Sequence, residues 1–151
     1  MRFTNNGDGT VTDNLTGLTW LRDANSFGQR NWTRALSDVN TMASGSHGLT
    51  DGSKAGDWRL PKVEELISLV DFEHHNPALP NASGKSKWRG GDAFIGVQSG
   101  IYGSGTTLSR NWTFAWYVYL DEGVVYYGGK TDAYYVWPVL SGKQEKKKIQ
   151  K

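Results

Sequence analysis

The 151-residue sequence predicts an α+β domain, with two amphipathic helices in its first half and an antiparallel sheet concentrated in its last third. Three observations carry that expectation. Apolar residues recur at helical spacing in two segments before residue 71. The period then changes to two from residue 92 onward. All seven tyrosines lie in that alternating part, within the 34 residues from Tyr102 to Tyr135.

The elements follow in order. Asn5-Asn6-Gly7-Asp8-Gly9 is a turn cluster, and residues 5–22 read as a hairpin with strands at 10–12 and 18–21. Residues 32–43 read as a helix, with Trp32, Ala35, Leu36, Val39 and Met42 on one face and Asn31 as N-cap. Residues 44–56 are a Gly/Ser/Asp loop. A second helix follows Trp58-Arg59-Leu60, with Pro61 in its first turn and Val63, Leu66, Ile67 and Val70 as its buried stripe. Glu64 and Glu65 suit the positive end of that helix, and either can pair with Arg59. Residues 71–91 form a long connection. Residues 112–120 are the clearest strand: Phe114, Trp116, Val118 and Leu120 share one face, Ala115, Tyr117 and Tyr119 the other. Two turns, 121–123 and 128–132, separate it from strands at 124–127 and 134–139.

Length and composition fit one domain, residues 1–142, with a core built on Trp20, Trp32, Trp58 and Trp116. The formal net charge is +2, but Lys143–Lys151 hold five Lys and one Glu and contribute +4, leaving −2 for residues 1–142. The folded part is therefore mildly acidic and the basicity belongs to a tail, expected to be a disordered end, with an anchor for a polyanion as the alternative. The absence of cysteine excludes disulfides, thiolate metal sites and cysteine nucleophiles. No stretch has the roughly 20 apolar residues a bilayer span needs, and no signal peptide opens the chain.

The tyrosine skew has two readings. Tyr favours half-buried pleats, so some of it is sheet packing. That does not account for Tyr117 and Tyr119 opposite a complete apolar face, nor for Tyr126-Tyr127 running into Gly128-Gly129. Tyr is a rigid, amphipathic contact residue with little rotamer entropy to lose. The expected contact residues are Tyr102, Arg110, Trp112, Tyr117, Tyr119, Tyr126, Tyr127, Asp132 and Tyr134, with Tyr135 left to packing.

Other candidates carry less. Asp8 and Asp13 flank a turn that lacks the closing Glu of a calcium loop. His74 and His75 are adjacent and border a Pro-containing loop. No nucleophile motif or phosphate-cradling loop is present. No catalysis, cofactor, metal, nucleic acid or membrane span is expected.

Several motifs resemble a known family. They are Asn6-Gly7-Asp8-Gly9-Thr10-Val11-Thr12-Asp13, Thr16-Gly17-Leu18-Thr19-Trp20, and Gly56-Asp57-Trp58-Arg59-Leu60-Pro61 with Glu64-Glu65-Leu66. Gly96-Val97-Gln98-Ser99-Gly100 and Tyr135-Val136-Trp137-Pro138-Val139 agree with them. Together they resemble the DUF1566 family, also described as the C-terminal domain of the Legionella collagen-like adhesin. The resemblance implies a C-type-lectin-like fold in which a late, loop-rich sheet binds ligands. It also implies a surface, secreted or phage-tail setting, in which oligomers, including trimers, are conceivable. Some members are variable proteins of diversity-generating retroelements, whose late-strand positions are rewritten by adenine-directed mutation. Tyr117, Tyr119, Tyr126, Tyr127, Gly128, Gly129 and Asp132 are similar to outcomes of that process at Asn codons. Two departures stand out. Ser26 and Thr41 occupy places where members often have a Cys pair, and Tyr102-Gly103-Ser104-Gly105-Thr106-Thr107 replaces a segment that often carries Trp.

The leading expectation is thus a protein- or cell-surface-recognition domain with a Tyr-rich face, of the retroelement-variable type. The alternative is a glycan- or glycosaminoglycan-binding adhesin domain. A formylglycine-generating enzyme, whose fold group shares the Arg-Leu-Pro segment, would need the missing cysteines.

Overall fold

The computed structural model describes residues 1–141, so the basic stretch 143–151 lies outside the described residues. It is an α+β arrangement of two five-stranded sheets and two helices. The first sheet has the order β1 (Phe3–Asn5), β2 (Thr10–Asp13), β3 (Thr19–Leu21), β10 (Val139–Leu140), β5 (Trp58–Arg59), all antiparallel. The second has the order β4 (Gln29–Arg30), β9 (Tyr134–Tyr135), β6 (Ile101–Thr107), β7 (Phe114–Tyr119), β8 (Val124–Gly129), with only β6 and β9 parallel. No helix among the described residues is long and apolar enough to cross a membrane.

The predicted N-terminal hairpin is a three-stranded meander, because Phe3–Asn5 pairs with β2 ahead of it. An ion pair ties this edge down. Asp13 is fully buried and receives Arg2 Nε at 3.2 Å and Arg2 Nη2 at 3.1 Å, while the same Nη2 donates to the Ser68 carbonyl. A carboxylate this deep persists only with its partner in place.

Helix α1 (Trp32–Thr41) is capped as expected: the Asn31 side chain accepts the Arg34 N–H at 2.9 Å. Ala35, Val39 and Met42 pack on one face of the first sheet, against Leu21, Trp58 and Val136. Leu36 does not join them; it lies outward and exposed. Helix α2 (Val63–Leu69) starts after an N-cap at Lys62, so Pro61 precedes the helix instead of opening it. Its buried residues are Val63, Leu66 and Leu69, whereas Ile67 and Val70 are only partly covered. Glu65 is the partner of Arg59, in a fork of 2.7 and 2.9 Å, and it also accepts the Lys62 N–H at 2.8 Å. Burial raises the Glu65 carboxyl, but the Arg59 and Lys62 hydrogen bonds outweigh it and hold the group below the usual glutamate range.

Three further expectations are corrected. The alternation at 92–98 makes no strand; Phe94 and Val97 are buried from a loop whose one ladder contact is a bridge from Ile95 to Asp23. The segment 134–139 is not a single strand. It breaks after Tyr135, so that β9 lies in the second sheet and β10 in the first. Trp137 sits at that crossing, fully buried, with its Nε1 donating to the Leu21 carbonyl at 2.9 Å. Of the four expected core tryptophans, Trp20 and Trp58 are buried, while Trp32 and Trp116 are only half covered.

The main core lies between the two sheets and α2. It contains a chain of rings: Phe3 to Phe94 at 5.0 Å, Phe94 to Trp137 at 4.9 Å, Trp137 to Trp20 at 5.4 Å and Trp137 to Tyr102 at 5.3 Å. These are the tilted and edge-on arrangements that aromatic pairs favour.

Candidate functional site

Strand register divides the tyrosines into two groups. Tyr102 pairs with Val118 across β6 and β7, and with Tyr135 across β6 and β9. Val118 points into the core, so Tyr102 and Tyr135 do too. Tyr102 is 1% exposed. Its hydroxyl donates to the Ala24 carbonyl at 2.8 Å and accepts the Gln98 N–H at 3.0 Å. Burial pushes that hydroxyl's pKa well up. Tyr102 is therefore a core residue clamping two loops, and the expectation that it contacts a ligand is corrected. Tyr135 packs beside it at 5.6 Å, as expected of a packing residue.

The opposite face of β6–β8 is open toward the β7–β8 turn and covered by Tyr134 toward its other end, where Ala115 is buried. The pairs Ile101–Tyr119–Val124 form one row across it, Gly103–Tyr117–Tyr126 the next, and Ala115–Gly128 the next. Tyr119 is 39% exposed, Val124 48% and Tyr126 53%. No charged side chain stands in these rows. Tyr134 closes the face from β9: its ring passes over Gly103 and reaches Gly128, where a Cβ would overlap the Tyr134 hydroxyl. Glycine at 128 is what lets that ring lie flat. Tyr134 packs on Tyr117 at 5.3 Å and hydrogen-bonds Asp132 at 3.4 Å. Burial and then the nearby Asp132 charge push its hydroxyl up to about 12, so it is a protonated donor at neutral pH.

The aromatic chain continues around the free edge of the sheet. Tyr117 meets Tyr126 edge-on at 6.4 Å, and Tyr126 stacks on Tyr127 at 4.5 Å. Tyr127 belongs to the other face, beside Trp116 and Phe114, each at 5.7 Å. Arg110 lies 5.5 Å from the Tyr127 ring and donates to its hydroxyl at 3.4 Å. Hydrogen bonding between the two hydroxyls raises Tyr126 and lowers Tyr127, and Arg110 lowers Tyr127 further. Trp112, on the β6–β7 loop, is 77% exposed.

The structure thus brings Tyr117, Tyr119, Tyr126 and Tyr134 onto one face with Asp132 at its end, places Tyr127 and Arg110 on the other side of the sheet edge and Trp112 on a loop, and buries Tyr102 in the core. Sequence reasoning missed Ile101 and Val124. Their signal was their position, directly across from Tyr119 on either side. The surface is a face and not a pocket. The crevice behind Tyr134, lined by Trp32, Leu60 and Val136 among others, holds only about 10 Å³, room for about one water molecule. The remaining polar candidates are structural. Asp8 accepts from the Thr10 N–H and hydroxyl, His74 lies 3.6 Å from Asp71, and no group of side chains among the described residues could hold a metal ion.

No curated protein and no solved structure matches the chain. A family model does: that of the Lcl C-terminal domain, the C-terminal domain of the Legionella collagen-like protein, over residues 9–140. That span runs from β2 in the first sheet to β10, an interior strand of the same sheet, and contains the whole aromatic surface. The chain belongs to the Lcl C-terminal domain family, a family of adhesin-type, surface-binding domains.

Proposed function

We propose that this is a non-enzymatic recognition domain that binds a protein or cell-surface ligand through the outer face of its late sheet. The observation that carries the reading is the uncharged row structure in which Tyr119, Val124 and Tyr126 are exposed and Ile101 and Tyr117 half-exposed, extended by Tyr134. Monomeric proteins rarely leave such a continuous apolar patch without a partner. Tyrosines suit the task, because each brings a large ring with few torsions to freeze and a hydroxyl that stays wet.

The finer reading is a C-type-lectin-like variable protein of a diversity-generating retroelement. Its support is positional. Tyr117, Tyr119, Tyr126 and Asp132 are side chains the core does not use, so they can be rewritten at little cost to folding. Two observations decide it: a reverse transcriptase and template repeat beside the gene, and adenine-restricted differences among copies at these codons. A gene lacking both neighbours would sink this finer reading and leave the recognition domain standing.

Family membership favours the second reading, a glycan-binding adhesin domain. Heparin retention that survives removal of residues 143–151 would support it. The test of the recognition face itself is adhesion of beads coated with the chain to a panel of cells. Replacing Tyr117, Tyr119 and Tyr126 by Ser should abolish adhesion while the circular dichroism spectrum stays unchanged. Undiminished adhesion would place the site elsewhere.

A further inference from the structure

The aromatic face is neutral, but its two ends are not. At one end lies the β7–β8 turn, with Asp121 and Glu122. The segment 71–76 docks on that turn: the Asn76 N–H donates to the Asp121 carbonyl at 2.7 Å, and the Phe72 ring lies against Gly123. This brings Asp71 and Glu73 to the same end. At the opposite end Asp132 stands beside Tyr134. Among the described residues, the side chains of Asp121 and Glu122 make no ion pair or hydrogen bond, so their charge is directed at solvent or a partner.

Of the cations nearby, Arg30 is ion-paired with Asp38, and Lys130 and Arg110 are held by neutral groups. Lys130 Nζ donates to Thr107 Oγ1 at 2.9 Å and sits 3.8 Å over the Trp32 ring. Arg110 lies over Tyr127, on the other side of the sheet edge. A partner approaching the face therefore meets apolar rings at its centre and carboxylates at both ends, with Asp121 and Glu122 lacking any ion-pair partner among the described residues and Asp132 held by Tyr134.

Resting on the recognition reading above, we propose that the occupant is a protein segment, apolar in the middle and carrying Lys or Arg on both flanks. The spacing follows from the strand. Six residues of β8 span roughly 17 Å at about 3.3 Å per residue, so the two basic groups are separated by about five or six extended residues. The exposed rings add to the carboxylates, since Lys and Arg side chains are attracted to tyrosine faces. A polyanion such as a sulfated glycan would bring like charge against both ends.

The test is selection from a random dodecapeptide library displayed on phage, using the full chain as bait. Peptides are kept only if capture falls by about tenfold or more in the Tyr117→Ser/Tyr126→Ser variant. They should carry Lys or Arg on both sides of an apolar centre. They should also lose about tenfold in affinity for the Asp121→Asn/Glu122→Gln/Asp132→Asn variant, and weaken steeply between 50 and 500 mM salt, where screening shortens from about 14 to about 4 Å. Tyr-dependent peptides that are neutral or acidic, or that bind the triple variant undiminished, would overturn the charge proposal and leave the face intact as a binding site. If no peptide depends on Tyr117 and Tyr126, the recognition face itself fails, and the proposal with it.

Discussion

Two tyrosines of one cluster should respond to alanine to very different degrees. Tyr102 is 1% exposed, touches Trp137 and Tyr135, and makes two hydrogen bonds through its hydroxyl. Truncating a buried aromatic costs about 3–5 kcal/mol, from lost burial and the cavity left behind. At about 2–4 °C per kcal/mol for a domain of this size, Tyr102→Ala should lower Tm by roughly 10–15 °C. Tyr102→Phe keeps the ring but leaves the Ala24 carbonyl and the Gln98 N–H without their partner, at about 1–3 kcal/mol. Tyr126 is 53% exposed and is held only by its Tyr117 and Tyr127 contacts. Such pairs contribute about 0.5–1.5 kcal/mol each, and the low end applies to an exposed ring, so losing two costs about 1 kcal/mol and Tyr126→Ala should lower Tm by about 2–4 °C. Thermal unfolding followed by circular dichroism separates the cases. Equal losses for the two variants would refute the division of the cluster into core and surface, and with it the argument for the binding face.

Two further outcomes concern the scaffold. Asp13→Ala strands Arg2, 14% exposed, beside an empty carboxylate site and should cost about 3–5 kcal/mol; restoring packing with Arg2→Met/Asp13→Leu should recover most of it in the same melt. Because the Glu65 carboxyl titrates lower in the folded protein than its ordinary 4.5, the folded state binds fewer protons. The stability this pair contributes is complete above that ordinary value and is lost as pH falls through the lowered one. Tm measured from pH 6 to pH 3 should therefore drop more steeply for the parent chain than for Glu65→Gln, and parallel slopes would count against the Arg59–Glu65 fork.

Where the sequence was legible, a local physical rule decided the outcome. Helix α1 begins at its Asn31 cap, and β7 is a strand with Val118 inward and Tyr119 outward, although Ala115 is buried on the outer side and Phe114 and Trp116 are only half-buried on the inner one. Arg59 could be assigned a glutamate partner, Glu64 or Glu65, because both lie in the first turn of α2. Where it was not, a distant partner decided. Tyr102 looked like its neighbours in the cluster, and only its register against Val118 turned it inward. The residues 92–98 alternate, yet Phe94 is buried by Phe3 and Trp137, which no local pattern reveals. The last strand looked continuous, but its two halves bond to different sheets. Leu36 has the spacing of a core residue and is exposed, because Ala35, Val39 and Met42 take the face of α1 that packs inward.

That divided last strand has a consequence for how the chain is assembled. Strand β10 is not at the margin of the first sheet; it is inserted between β3 and β5, pairing Val139 with both Trp20 and Arg59. Strand β3, around Trp20, thus waits for Val139, more than a hundred residues later, before its hydrogen bonding is complete, a long-range closure that slows folding. Every residue of the aromatic face is threaded between those two events. Changes on that face alter neither end of the clasp, whereas a stop or frameshift anywhere within it removes Val139 and leaves the first sheet open. A cell that discards unclosed chains would in effect proofread the length of this segment while remaining blind to its side chains.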